Sequence, residues 1–234
     1  MSSFIESIAP NLYAYRERFW LSCGQTALLF IIPGAIAFVL GLLLGVVLTV
    51  TRKDGIKPNR IVFRIVDTII NVFRAIPFVI LLIFLIPFTR LLVGTSIGVR
   101  GAVVPLVFGT VPFYTRQVET VLVNLDKGKI EAARAMGTST VGIIFRVYLH
   151  EAVPELIRVT TITAISLVGL TTMAGAVGAG GIGSFAINYG QGQHHQDIVN
   201  ACVIVLLVVV CILQAVGAIL ARKTTNRALF SRKR

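Results

Sequence analysis

Thirty-three consecutive residues, Phe19–Thr51, contain no Asp, Glu, Lys or Arg. Two further runs match them: Val159–Gln196 with 38 residues and Ile198–Ala221 with 24. About 20 mostly apolar residues suffice for a helix to cross a bilayer. The chain is 56% hydrophobic and 14% charged, with mean hydropathy +0.87; a soluble domain carries about 25% charged residues. That much apolar surface cannot be hidden inside one chain of 234 residues, so lipid is the expected solvent. The expectation is an all-α, polytopic membrane protein with about five transmembrane helices, forming a single domain over 1–234.

The spans are placed from apolar runs and their breakers. Ser22–Thr26 is polar, so the first span is about 27–50, with Gly41 and Gly45 as a GxxxG close-packing face. A basic loop, Arg52–Arg60, follows. The second span is about 61–88; Asp67, Asn71 and Arg74 share one face of its first half, and Pro77 and Pro87 kink or end it. Gly94–Gly98 is a turn. The third span, about 101–123, is interrupted by Pro105 and Pro112 and carries Arg116 and Glu119 near its end. The fourth is about 156–176, followed by a small-residue loop to Asp197, and the fifth is 198–221.

Orientation follows from cations. Of 22 Lys and Arg, 17 fall on the side holding the loops after spans one and three and the C-terminal tail, and four on the other. The positive-inside rule places the 17 in the cytoplasm. The C-terminus is then cytoplasmic and the N-terminus outside. A net charge of +12, placed at the ends of apolar runs, fits orientation rather than nucleic acid. Cys23, Cys202 and Cys211 have no paired spacing and are expected to be core residues, neither disulfide-bonded nor metal-bound. No cleavable signal is expected, since no short apolar core ends in a small-residue cleavage site.

The longest amphipathic stretch between spans is 131–154, EAARAMGTSTVGIIFRVYLHEAVP. Ile130–Met136 contains strong helix formers, and Glu131 suits a helix start. Gly137 is a helix stop. Thr138 or Ser139 caps a second helix, whose Val141, Ile144 and Val147–Tyr148 share a face. Pro154 starts the next helix or breaks this one. The product is a stiff knob on the cytoplasmic side. Two readings are open: a docking element gripped by a soluble motor, or a helix lying on the headgroups.

The segment resembles the EAA loop of ABC importer permeases: Glu131, Ala132 and Ala133, then Gly137, then Val147 and Leu149. It departs at His150, where the family has proline, and at Val147, where isoleucine is usual. More narrowly, Asn71–Gly98, Ile130–Ser139 and Thr171–Gly183, with Asn188–Gly190 nearby, resemble the methionine-import permeases. The resemblance implies a type I ABC importer permease fold in the bacterial inner membrane. It implies a homodimer with two cytoplasmic ATP-binding subunits and a periplasmic or lipid-anchored substrate-binding protein. Glu131, Ala132, Ala133, Gly137, Val147 and Leu149 would couple to the ATPase. ATP and Mg would be bound by that partner, with no cofactor on this chain. L- and D-methionine or close derivatives are the implied substrates.

Other motifs are weighed against structural explanations. No GxxxxGK[ST] phosphate cradle exists, so this chain is expected to be a transport subunit rather than an enzyme, with ATP hydrolysed by a partner. Gly178–Gly183 matches GxGxxG but lacks a strand–helix setting and an acidic ribose partner, so a small-residue bend is expected. Met173, Thr171 and Thr172 at the outer end of span four are candidates for a gate or pathway, against plain packing and hydroxyls bonded to their own helix. Asp67 and Arg74 could meet Arg116 and Glu119 functionally, or as an ion-pair cluster at the membrane surface. His194, His195 and Asp197 read as a solvated loop rather than a metal site. No carboxylate pair, Ser–His–Asp or Cys–His arrangement can be assembled. Alternatives to a methionine importer are the same machine carrying another amino acid or small peptide, a secondary transporter, and a membrane enzyme. Inverted repeats and mid-span coupling-ion residues, expected of a secondary transporter, are not evident.

Overall fold

A computed structural model describes residues 9–231, with side chains as far as Thr225. Among the described residues every regular element is helical. In chain order these are α1 (Pro10–Ala14), α2 (Arg16–Thr51), α3 (Arg60–Ala75), α4 (Phe78–Phe84), α5 (Ile86–Val93), α6 (Gly98–Val123), α7 (Lys127–Ala135), α8 (Thr140–Ile143), α9 (His150–Ala174), α10 (Gly181–Phe185) and α11 (Gln196–Ser231). A π-helical turn, Ile144–Leu149, joins α8 to α9.

Three helical stretches are long and apolar enough to cross a membrane, or up to five if each of two bent pairs is one span. α2 and α11 each have 36 residues. At 1.5 Å per residue each is about 54 Å long, beyond the roughly 30 Å hydrocarbon core. The most apolar window of α11 is only 6% buried within the chain. Its exposed Val203, Ile204, Leu207 and Ile212 need lipid or another chain as solvent.

The second expected span is not one helix. α3 stops at Ala75 and α4 starts at Phe78. Pro77 disfavours helical dihedrals at Ile76 and lacks the N–H that would continue the ladder. Pro77 itself sits at ψ 135°, outside the helix. Prolines 105 and 112 have the opposite outcome: α6 runs unbroken from Gly98 to Val123. In apolar surroundings a lost helical bond is tolerated where neighbouring groups hold the chain. Pro154 neither starts nor breaks a helix; α9 passes through it. The expected loop before Asp197 is instead a chain of short helical turns, Gly181–Phe185, Ala186–Gly190 and Gln191–Gln193.

The chain divides into two compact units. The first holds the described residues of Met1–Ile36, Ile76–Thr110 and Ala164–Leu213. Its cores are Leu29, Leu82, Leu106 and Leu167 in one cluster, and Phe19, Ile182, Phe185 and Ile198 in another. Within it, α5 and α6 meet at a bend of 119°. The second unit holds Ala37–Ala75, Val111–Thr163 and the described residues of Gln214–Arg234. Its core joins Tyr114, Val118 and Leu122 of α6 to Ala133, Ile143, Tyr148 and Ala152.

Candidate functional site

The knob at 127–149 is built from three local signals. Asp126 caps α7, its carboxylate accepting the Gly128 amide at 2.9 Å. The helix therefore starts at Lys127, three residues before the start expected from propensity; an Asp ahead of a helix former was the available signal. At its far end Gly137 adopts φ +74°. The Thr138 amide donates to Ala133 O at 3.1 Å and the Gly137 amide to Arg134 O at 2.9 Å. This doubled bond is the Schellman closure, which needs a left-handed residue at the glycine position. Ser139, not Thr138, caps α8, accepting the Gly142 amide at 3.2 Å.

The face buried by the second helix differs from the expected one. Ile143 and Tyr148 are buried, while Val141 is 62% exposed. Ile144 and Val147 are half-buried. The buried pair is five residues apart, the repeat of a π-helical turn, and the wide turn at Ile144–Leu149 supplies it. A 3.6-residue repeat selects Val141 instead. Burying Ile143 removes apolar surface from water and stabilises by about 2 kcal/mol. Two contacts brace the knob. Arg134 donates to Gly55 O at 3.2 Å, and Lys129 pairs with Glu151 on the surface.

Of the residues expected to couple to a partner, Glu131, Ala132 and Gly137 are exposed. Val147 and Leu149 are half-buried. Ala133 is 4% exposed and packs inward, so its closeness serves the knob's own core. Sequence reasoning missed the most exposed apolar side chains here: Met136 and Phe145. Their signal was an apolar residue in a segment outside any span.

Asp67, Asn71, Arg116 and Glu119 come together in the second unit. The Arg116 guanidinium donates to Asp67 Oδ1 at 2.6 Å, to Asn71 Oδ1 at 2.8 Å and to Glu119. Asn71 returns a bond to Asp67 Oδ2 at 3.0 Å. Arg74 is exposed and joins no ion pair of the described residues.

In the first unit, the candidate gate is a tight bend. Thr171 is buried, and its hydroxyl donates to Val168 O at 2.7 Å; the Thr172 hydroxyl donates to Gly169 O at 2.7 Å. Both hydroxyls are thus spent on their own helix. Met173 is half exposed. Behind it, a Cβ on Gly183 would lie 2.3 Å from Thr172 O. The GxGxxG stretch is thus a close backbone crossing, held by Gln25 and Thr26 accepting the amides of Gly181 and Ile182 at 2.8 Å each. Asp197 is a structural cap: its oxygens accept the Asn11 amide and side chain at 3.0 and 3.1 Å. His195 Nδ1 lies 3.2 Å from Tyr189 O.

A family model described as binding-protein-dependent transport system inner membrane component matches residues 37–226. The probable D-methionine transport system permease protein MetI of Vibrio cholerae is 40% identical over 203 residues, covering 87% of this chain and 90% of that protein. The methionine import system permease protein MetP of Bacillus subtilis is 41% identical over 180 residues, covering 77% and 81%. A structure of the MetNI methionine ABC transporter in inward-facing conformations matches with TM-score 0.84 at 42% identity, over 92% of this chain and 98% of that one. The chain belongs to the family of binding-protein-dependent transport system inner membrane components.

Proposed function

We propose that this chain is the membrane subunit of an ATP-driven importer of methionine, working as a homodimer with two cytoplasmic ATPase subunits and an external substrate-binding protein. ATP and Mg belong to the ATPase. The Lys- and Arg-rich side, with the knob and the C-terminus, faces the cytoplasm, and the N-terminus lies outside. ATP binding closes the ATPases, the knob moves with them as a rigid body, and the helices rock between inward and outward access. Glu131, Ala132 and Gly137 contribute charge, close approach and the turn; Val147 packs against the knob's own core, and Leu149, half-buried, follows it toward α9. The substrate preference rests on the relatives, whose names carry methionine.

The observation that carries the docking role is the exposure of Met136 at 77%, Val141 at 62% and Phe145 at 64% on an element capped at both helix starts. Large apolar residues exposed on a rigid polar-flanked knob mark a protein contact. Phe145→Glu should weaken ATPase association about thirtyfold or more, the loss typical of an interface hot spot, while the chain stays in the membrane. Co-purification in mild detergent and uptake in proteoliposomes measure this; wild-type behaviour in both would remove the docking role. Retention of a different amino acid by the binding protein would overturn the substrate alone.

A further inference from the structure

A cavity of about 810 Å³ opens in the second unit beside the start of α3. Arg52, Lys53, Arg60, Arg64 and Arg116 line it against only two carboxylates, Asp67 and Glu119. Arg116 is committed to both carboxylates. Among the described residues, Arg52, Lys53, Arg60 and Arg64 make no ion pair. The cavity thus holds an excess of three positive charges, with four cations unpartnered. Arg116 Nε, at the cavity wall, is buried and makes no hydrogen bond among the described residues.

The helix bordering the cavity is amphipathic. Arg60, Arg64 and Asp67, four and three residues apart, turn one stripe of α3 to the cavity. Ile61, Ile65, Ile69 and Val72 form the neighbouring stripe and are 73%, 56%, 50% and 53% exposed. A molecule that satisfies both stripes has a compact anion at one end and hydrocarbon at the other. A free inorganic anion leaves the apolar stripe unmatched.

We infer that this cavity binds the phosphate headgroup of an anionic glycerophospholipid from the leaflet on the Lys- and Arg-rich side, with the acyl chains along Ile61, Ile65, Ile69 and Val72. The guanidinium fork of Arg suits a phosphate diester, and each cation near a bilayer surface adds to the attraction for anionic lipid. The site is independent of the knob and of what is transported.

Native mass spectrometry of the full chain, extracted from vesicles of equal phosphatidylglycerol and phosphatidylcholine, tests this. Phosphatidylglycerol should be retained over phosphatidylcholine by about tenfold or more. R60Q/R64Q should bring the two close to parity; both side chains are exposed and make no ion pair among the described residues, so their loss breaks no ion pair of the described residues. R222Q/K223Q, which removes the same charge elsewhere, should leave the preference intact. Inorganic phosphate at millimolar concentration should not displace the lipid. Equal retention by R60Q/R64Q and wild type, equal loss in R222Q/K223Q, or displacement by inorganic phosphate would each overturn the assignment, the last in favour of a free-phosphate site.

Discussion

The amide of Thr138 donates to the carbonyl of Ala133 at 3.1 Å, across a glycine held at φ +74°. With the Gly137 amide on Arg134 O at 2.9 Å, this bond closes the end of α7 and sets the turn into α8. It also separates conformation from crowding as the reason for glycine at 137, since a Cβ there would meet nothing within 4 Å.

Replacing Gly137 therefore costs through backbone strain alone. Gly137→Ala should lose about 1 kcal/mol of knob stability, with Asn milder and Val worse. Gly137→Asp adds a carboxylate to the exposed surface and should uncouple ATP hydrolysis from uptake while leaving the chain in the membrane. Paired ATPase and uptake rates in proteoliposomes report this; unchanged transport by the Asp variant would sink the coupling role.

The GxxxG stripe of α2 packs on α6 within the second unit. A Cβ at Gly45 would lie 2.5 Å from Val118 Cγ1 and 3.1 Å from Thr115 O, and one at Gly41 would lie 2.6 Å from Tyr114 Cδ1. Gly45→Ala should lower stability by about 1–3 kcal/mol through overpacking. Val118→Gly, which removes both the Cγ1 and the Cβ that would lie 2.5 and 2.7 Å from the new methyl, should relieve part of the crowding, so the double variant should recover about 1 kcal/mol relative to additivity. Thermal unfolding in detergent measures the cycle, and strict additivity would contradict the contact.

Arg116 neutralises a carboxylate that lies almost wholly inside the unit: Glu119 is 5% exposed. Arg116→Met would strand Glu119 and Asp67 at a cost of about 3 kcal/mol. Adding Glu119→Gln should return part of that loss. If Arg116→Met unfolds at the wild-type temperature, the cluster contributes nothing to stability.

The knob was legible because its signals are local. Gly137 and Ser139 state a stop and a cap through their own backbone chemistry, whereas Glu131 falls past the first turn of a helix that starts at Lys127. The buried face was not legible. Ile143 and Tyr148 turn inward across a π turn at Ile144–Leu149 and join the cluster that holds Tyr114, Val118 and Leu122 of α6, a set of long-range contacts that helical propensity does not encode. Proline shows the same division. Pro77 ends a helix, whereas Pro154 sits inside one beside Ala152, which is fully buried. Identical local chemistry gave opposite results because the surroundings differ.

The residue order by itself determined that lipid is the solvent, where the charge-free runs lie, and where a helix–glycine–helix segment stands between spans. Those follow from hydropathy, charge counts and short-range steric rules, which act along the chain. Only the tertiary structure decided which prolines break, which face of the knob is buried, and that Asp67, Asn71 and Glu119 converge on Arg116. Those depend on contacts between residues as many as 49 positions apart, and no local periodicity encodes which partners such a side chain will meet.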